Sequence, residues 1–389
     1  MPIEIRGLAW DHRRCWGPLE ASVVPYRAAN PDIWITWDRR SLYEFGEGHI
    51  EDALRQYDLV IFDHPFIGDI AAAGLMVPFD RYLSEAERRR FEADSVGASW
   101  RSYQALGRQW ALPIDAAAQV ASYRPDLLLP YADRLPKSHD EVKDLAWRAR
   151  RDGKWIGLPL VPTDAMCLVL TLAAGAGEAI GTGGGFLPRQ SIERIIGALR
   201  EFAELAHPKS REWNPIRCYD HMIANDDVVY VPYAFGYVNY ASRGKAPLLA
   251  FGDIPLSPPR GALLGGAGIG VSAFSANPDA AAVYALFLCS EEYQRTDYLA
   301  HGGQPGSRGA WTDAAANELT RGFFRDTLAT LTQSYLRPTH PGFVDFFRSA
   351  THQVVAALDG EITPAALSDW LDRHYAQPLE KVEPERSAV

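Results

Sequence analysis

The segments IEIRGLAWDH, residues 3–12, and DLVIFDH, residues 58–64, decide the fold class of this chain. Each segment is an apolar run with strand character, and each ends in an Asp-His pair. Between them lie a helical pattern at 17–30, an alternating strand pattern at 32–38 and a second helical pattern at 41–57. Strands that alternate with helices predict βαβ units and a parallel sheet. Strands that are almost wholly apolar predict a sheet covered on both faces.

The Asp-His pairs, Asp11-His12 and Asp63-His64, directly follow the first and third predicted strands. In open α/β sheets, ligands bind beyond the carboxyl ends of the strands, at the point where the strand order reverses. If these strands are neighbours, both pairs face one crevice. A cluster of histidines and carboxylates can bind a cation or shuttle protons. The alternative is that each aspartate caps a helix or orients its neighbour.

The overall composition excludes several classes of protein. With 389 residues, of which 47% are hydrophobic and 23% charged, the chain is long enough for two or three packed cores. A net charge of −10 argues against a nucleic-acid partner, for which a basic patch is expected. The sequence contains no apolar run of about 18 residues that would predict a membrane span. The cysteines, Cys15, Cys167, Cys218 and Cys289, form no CxxC motif.

Sequence motifs of common enzymes are absent from the chain. The run GGAGIG at 265–270 has no Lys-Ser/Thr partner of a phosphate loop and precedes a strand, the reverse of the dinucleotide-binding order. We interpret its glycines as allowing a close approach between crossing segments. Neither GxSxG nor HExxH occurs. We therefore predict no catalytic residue, no metal and no cofactor.

The N-terminal segment MPIEIRGLAW enters strand-like residues directly, without the pattern of a secretory signal. Two interpretations of this feature stay open. The protein is either cytoplasmic, or it is exported and its signal has been removed.

Four segments carry patterns that are more informative together than alone. They are GRQWALPIDAAAQVASYRPDLL at 107–128, SHDEVKDLAWRARRDGKWIGLPL at 138–160, DDVVYVPYAFGYVNYA at 226–241 and the most specific, LLGGAGIGVSAFSANPDAAAVYALFLCSEEYQRTDYLAHGGQPGSR at 263–308. In order and spacing they resemble the extracellular solute-binding proteins of ABC importers, in the branch that includes maltose-type and other sugar-binding proteins. The resemblance covers roughly residues 3–350.

The resemblance implies an α/β protein with the two-lobed, type II periplasmic-binding-protein fold, in which parallel-type sheets are flanked by helices. Crossing segments near 113–117, 258–264 and 309–312 would form the hinge. The lobes would be 1–114 plus 262–309 and 115–261 plus 310–389.

The function implied by the resemblance is the binding of a small polar solute, expected to be a carbohydrate or sugar derivative, in the cleft between the lobes. Hinge closure would then deliver the solute to the permease subunits of an ABC importer. The resemblance also implies a periplasmic or cell-surface location and a monomer.

The predicted ligand-binding residues combine aromatic platforms, polar side chains and a glycine. Trp10, Trp16 and either Tyr233 or Tyr237 are expected to stack on the ligand, and Arg308 to pair with an anionic group. The full set is Trp10, Asp11, His12, Trp16, Asp63, His64, Asp115, Thr163, Asp164, Tyr233, Phe235, Tyr237, Gly266 and Arg308.

Two alternatives stay open from the sequence. The first is a two-domain enzyme, a hydrolase or lyase, that uses the Asp11-His12 and Asp63-His64 pairs as acid, base or metal ligands. Such an enzyme would lose turnover when either histidine is replaced. The second is a sensor that keeps the cleft and contacts a different partner.

Overall fold

The computed structural model describes residues 2–178, 180–181, 185–242 and 248–375. Its strands are β1 (Ile3–Trp10), β2 (Ile33–Arg40), β3 (Leu59–Phe62), β4 (Met76–Val77), β5 (Gln104–Ala105), β6 (Arg108–Gln109), β7 (Leu112–Tyr123), β8 (Trp155–Ile156), β9 (Val228–Phe235), β10 (Ala250–Gly252) and β11 (Leu264–Ser272).

The helices are α1 (Arg13–Ala29), α2 (Leu42–Glu47), α3 (Ile50–Gln56), α4 (Ile67–Ala73), α5 (Glu85–Asp94), α6 (Pro125–Leu128), α7 (His139–Arg151), α8 (Pro162–Gly175), α9 (Arg189–Leu205), α10 (Pro215–Ala224), α11 (Pro278–Leu288), α12 (Glu291–Arg295), α13 (Asp297–Ala300), α14 (Arg308–Thr312), α15 (Ala314–Leu319), α16 (Phe323–Thr332), α17 (Phe343–Asp359) and α18 (Pro364–Tyr375). In the described part of the chain, no helix is long and apolar enough to cross a membrane.

The main sheet has the strand order β2-β1-β3-β11-β7-β9-β8, with β4 beside β11 and β10 beside β7. Strand β1 runs parallel to β2 and β3, and β8 runs parallel to β9. The predicted parallel pairing is therefore present at both ends of the sheet. The centre is antiparallel, because the long strands β7 and β11 run in opposite directions to each other.

The faces of the sheet are covered on both sides, as the apolar strands predict. Leu59 and Ile61 of β3 belong to one core cluster, whereas Val60 and Phe62 belong to a second. This division follows from the alternation of side chains along a strand.

A third and larger cluster begins where β7 and β11 leave this half of the sheet. Along β7 the core changes between Ile114 and Ala116, and along β11 it changes between Leu264 and Ala267. Apolar packing is therefore concentrated on either side of the crossing strands.

Helix boundaries differ from the sequence pattern in two places. The helical pattern at 17–30 contains Pro25, a residue that usually kinks or breaks a helix. Helix α1 nevertheless continues past it, and its buried residue Tyr26 packs with 4.7 Å between its ring centroid and that of Tyr284. The single helical pattern at 41–57 is divided into α2 and α3, because Gly48 adopts an extended conformation that ends α2. The cysteines are all free and buried, so none forms a disulfide in this structure.

Candidate ligand-binding cavity

A cavity of about 260 Å³ lies where the ends of β1, β3 and β9 meet the crossing strands β7 and β11. The starts of α8 and α10 and the helix α2 complete its wall. Its volume is just below the ~300–1,000 Å³ that is typical of small-molecule sites. The cavity therefore suits a small ligand.

Eight of the fourteen predicted ligand-binding residues line this cavity. They are Trp10, Asp63, Asp115, Thr163, Asp164, Phe235, Tyr237 and Gly266. They come from strand ends and helix starts far apart in the sequence, and the crossing of β7 and β11 brings them together.

A buried ion pair between Arg14 and Asp115 forms the floor of the cavity. The Arg14 Nε donates to Asp115 Oδ2 at 2.7 Å, and Arg14 Nη2 donates to the other carboxylate oxygen. The remaining nitrogen, Nη1, donates to the carbonyl of Gly236 at 2.9 Å. The guanidinium also lies over the Tyr237 ring, 4.7 Å from its centroid. Both charged side chains are buried, at 4% and 0% exposure, so the pair depends on these hydrogen bonds.

A second ion pair, between Asp63 and Arg337, also lines the cavity. Asp63 Oδ2 accepts from Arg337 Nη2 at 2.6 Å, and its Oδ1 accepts from the backbone N–H of His64 at 2.9 Å. Burial would raise the pKa of Asp63, but the neighbouring Arg337 charge and the hydrogen bonds outweigh it and hold that pKa well below its usual range. Asp63 is therefore ionised at neutral pH.

Arg14 and Arg337 were not predicted from the sequence. Arg14 lies in the first turn of α1, two residues beyond His12, the end of the segment that the Asp-His pattern singled out. Arg337 lies beside the start of β11, where Tyr335 exchanges backbone hydrogen bonds with Ala262 and Leu264. No motif marks either arginine.

The short helix α2 is also a part of the wall that the sequence analysis missed. It contributes Leu42, Tyr43 and Phe45, and Phe45 contacts Trp10 with 4.6 Å between ring centroids. Tyr43 is 63% exposed, so it lies at the cavity mouth. The aromatic pattern LYEF was the only available signal.

Asp11 and His12, which were expected to bind the ligand, do not line the cavity. The Asp11 side chain is 63% exposed and lies 3.7 Å from Arg39 Nη1. His12 is the N-cap of α1, where its Nδ1 accepts from the Arg14 backbone N–H. Trp16 lies further along α1 beneath the Arg39 guanidinium, 4.0 Å away. Helix α1 starts directly after β1, and Asp11 and Trp16 in this segment contact Arg39 and do not line the cavity.

His64 is likewise placed behind the cavity wall, with no exposed surface. Its Nδ1 lies 3.1 Å from Asp63, and its ring packs edge-on to Tyr103. Burial, with the nearby Arg337 charge, lowers the pKa of His64 and favours the neutral ring. The two Asp-His pairs thus do not present a histidine to the cavity.

Tyr233 and Arg308 also lie elsewhere. Tyr233 precedes Phe235 by two residues in β9, and its hydroxyl bonds to His139 Nε2 of α7 at 2.7 Å. Arg308 starts α14, and its side chain is exposed to solvent. Neither residue is among those that line the cavity.

Gly266 explains part of the glycine run in β11. Its φ is +110°, and a Cβ atom there would lie 2.4 Å from the Asp115 carbonyl oxygen. Only glycine tolerates both this conformation and this close contact without strain. The interpretation of the run as a close approach of crossing segments is thus confirmed at this position.

Replacement of Gly266 by alanine is expected to lower the free energy of unfolding by at least about 1–3 kcal/mol, the usual cost of a strained backbone conformation. Urea unfolding of Gly266→Ala measures this loss. The matched control is Gly197→Ala in α9, where a Cβ meets nothing within 4 Å. This control is expected to gain about 0.4–1 kcal/mol. Equal stability of the two variants would contradict the strain at Gly266.

A cluster of His207, His221 and Asp227 lies away from the cavity and has metal-ligand chemistry. The His207 Nδ1 accepts from the Lys209 backbone N–H at 3.2 Å, so the ring proton sits on Nε2, which faces Asp227. His221 Nε2 faces the other Asp227 oxygen at 2.8 Å. Two imidazoles and one carboxylate thus satisfy each other within the protein.

Comparison with known proteins identifies the family of most of the chain. A family model described as bacterial extracellular solute-binding protein matches residues 19–295. The maltotriose-binding protein of Pyrococcus abyssi is 27% identical over 120 residues, a match that spans 31% of this chain and 25% of that protein.

Solved structures with the same fold cover almost the entire chain. The maltose-bound MalE3 protein of T. maritima superimposes with a TM-score of 0.81 at 16% identity, over 96% of this chain and 98% of that one. A solute-binding protein of Thermotoga lettingae bound with α-D-tagatose gives 0.80 at 15% identity, over 96% and 99%. One from Agrobacterium radiobacter in complex with ribitol gives 0.78 at 15% identity, over 95% and 98%. At these identities the likeness shows the two-lobed fold.

Proposed function

Since the chain belongs to the family of bacterial extracellular solute-binding proteins, we propose that it binds a carbohydrate or sugar derivative in the cavity between two lobes. The observation that carries this proposal is that both predicted lobes contribute residues to the cavity wall. Trp10 and Asp63 come from the first predicted lobe, whereas Asp164 and Tyr237 come from the second.

The proposed lobes are those expected from the sequence, 1–114 plus 262–309 and 115–261 plus 310–389, of which residues 376–389 lie outside the described part of the chain. The mechanism is hinge closure along the crossing strands, in which the ligand favours the closed state by binding it more tightly. The contact between Asp63 and Arg337 and the bond from Arg14 to Gly236 each join the two lobes. These contacts support a closed arrangement around the cavity.

The chemistry of the wall fits a sugar ring. Aromatic faces of Trp10, Phe45 and Phe235 offer the flat apolar surface on which a pyranose stacks. Carboxylates of Asp63 and Asp164 can accept hydrogen bonds from ring hydroxyls. This mixture of apolar walls with a few placed polar groups is typical of small-molecule sites.

Transport completes the proposal. The solute is delivered to the permease subunits of an ABC importer, and the protein acts as a monomer in the periplasm or at the cell surface. The similar proteins include a maltotriose-binding protein and structures with bound maltose, α-D-tagatose and ribitol. Because these ligands are sugars and a sugar alcohol, they support a carbohydrate as the ligand class of this chain.

A thermal-shift screen of sugars, sugar acids, polyols, amino acids and divalent metals tests the function. A ligand at 100 times its Kd stabilises the native state by about 2.7 kcal/mol, so a carbohydrate is expected to raise the Tm. Asp63→Asn should lose most of this increase, measured against its own Tm without ligand. The control Asp32→Asn changes an exposed carboxylate in the same lobe and should keep it. A response to metals alone, or consumption of the added compound, would contradict the proposal.

A further inference from the structure

Arg337 has hydrogen-bonding capacity that the protein does not use. Its side chain lines the cavity and is 7% exposed, and its Nη2 donates to Asp63 Oδ2 at 2.6 Å. The Nε of the same guanidinium is buried, and among the described residues it has no acceptor within hydrogen-bonding distance. Arg14 differs, because each of its three nitrogens donates to Asp115 or to the Gly236 carbonyl. Arg337 is therefore the cavity arginine that can still donate to a ligand.

A second unused donor, the indole Nε1 of Trp10, belongs to the same cavity wall. Trp10 is 3% exposed, and its Nε1 is buried without an acceptor in the described part of the chain. Buried N–H groups are nearly always paired, and an unpaired one costs free energy, most of all in a charged group. A ligand that supplies oxygen acceptors to both side chains would remove this cost. Because Trp10 belongs to the first proposed lobe and Arg337 to the second, such a ligand would favour the closed state.

Asp63 places an acceptor beside the Arg337 donors. Its Oδ1 accepts from the backbone N–H of His64 and lies 3.1 Å from the ring Nδ1 of that residue. Its Oδ2 accepts from Arg337, and a carboxylate oxygen has two lone-pair sites, so Oδ2 can accept one further hydrogen bond. The pair thus offers a donor and an acceptor side by side. A hydroxyl group can use both, because it accepts and donates at once.

Charged ligand groups fit this pair less well. A carboxylate can accept from Arg337, but it would lie beside the negative charge of Asp63, which shares the same guanidinium. An ammonium group can donate to Asp63, but it has no lone pair for Arg337 and would lie beside a positive charge. Solvent ions screen buried charges only weakly, so both repulsions persist in the cavity. The pair therefore favours a neutral hydroxyl over either charged group.

We propose that Arg337 is a specificity-determining residue of this cavity, which donates to a ligand hydroxyl through the nitrogens that Asp63 leaves free. Asp63 Oδ2 accepts from the same hydroxyl or its neighbour, and the Trp10 indole donates to a second ligand oxygen. The ligand class that follows is a neutral sugar or polyol, in preference to an amino sugar or a sugar acid. This inference rests on the proposed function for the place of the ligand, and the unused donors carry the rest.

Isothermal titration with matched compounds measures the preference. Glucose, galactose and mannose are compared with glucosamine, galactosamine and mannosamine and with glucuronate and galacturonate, and tagatose, ribitol and maltose extend the neutral set. The tightest binder is expected to be neutral and to bind about tenfold more tightly than the charged compounds, because only a hydroxyl satisfies both partners of the buried pair. An amino sugar or uronate as the tightest binder overturns the inference and leaves the proposed function intact. Binding of no compound in the panel overturns both.

The variant Arg337→Lys keeps a positive charge beside Asp63 but removes the planar set of donors. Its Tm without ligand should stay close to that of the native protein, whereas its affinity for the tightest neutral binder should fall about tenfold. The control Arg189→Lys changes an exposed arginine that pairs with Asp369 in the same proposed lobe, and it should keep the affinity. Unchanged affinity in Arg337→Lys would show that Arg337 serves only its ion pair, and would leave the proposed function intact.

Monodeoxy analogues of the tightest binder separate a direct contact from a general effect on the cavity. In the native protein, removal of one particular hydroxyl should weaken binding about tenfold. In Arg337→Lys, removal of the same hydroxyl should have almost no further effect, as expected for two partners of one contact. A structure of the native complex needs no variant, and a ligand oxygen within about 3.2 Å of Arg337 Nε or Nη1 is expected there. Additive losses, or no ligand oxygen at Arg337, would overturn the inference.

Discussion

The variant Asp115→Ala is expected to lose about 3–5 kcal/mol of unfolding free energy, because it leaves the buried Arg14 guanidinium without its counter-charge. The Arg14 side chain is 4% exposed, and water cannot replace the two hydrogen bonds that Asp115 accepts. The pair lies at the crossing of β7, so the variant should also lose ligand binding. Urea unfolding followed by circular dichroism measures the loss of stability.

Two further variants separate the charge effect from a general loss of packing. The control Glu51→Ala removes an exposed pair with Arg55 within α3 and should cost only about 0.3–0.5 kcal/mol. The double variant Arg14→Met with Asp115→Leu removes both charges, so it should be more stable than Asp115→Ala. A loss below about 1 kcal/mol in Asp115→Ala would contradict the description of a desolvated ion pair.

The variant Arg337→Ala is expected to show a comparable loss, about 3–5 kcal/mol at pH 7, because Asp63 then stays buried without its partner. The effect should depend on pH. In the native protein the pKa of Asp63 is held below its unfolded value of about 3.9. The unfolded state therefore binds more protons in this range, so the stabilisation is present above about pH 5 and is lost as the pH falls through the folded pKa.

In Arg337→Ala the pKa of Asp63 is expected to shift upwards instead of downwards, because burial without a neighbouring cation raises the pKa of a carboxyl group. The difference in stability between the native protein and the variant should therefore shrink between pH 7 and pH 4. Unfolding in urea at both values tests this trend. The control Arg295→Ala, which removes an exposed pair with Glu291 and Asp313, should cost less than about 1 kcal/mol. A difference that is constant with pH would show that Asp63 is not held ionised by Arg337.

Much of the fold follows from patterns within short segments. The apolar runs of β1 and β3 and the intervening helices predicted the parallel neighbours, because hydrophobic periodicity is a property of consecutive residues. The glycines of β11 indicated a close approach of chain segments, which Gly266 confirms. The position after a strand end was sufficient to indicate Asp63 as a cavity residue, whereas Asp115, which lies within β7, was indicated by the resemblance to the solute-binding family.

The site itself was decided by tertiary structure. Arg14 meets Asp115 across 101 residues of sequence, and Arg337 meets Asp63 across 274. No local pattern identifies these partners, because each pair depends on how β7, β11 and the segment after them cross. Packing also decides whether a residue after a strand faces the cavity or the solvent. Asp63 lines the cavity, whereas Asp11 is exposed to solvent. The sequence alone therefore determined the α/β framework and placed the candidate site near the ends of particular strands. The tertiary contacts determined which charged residues line the cavity.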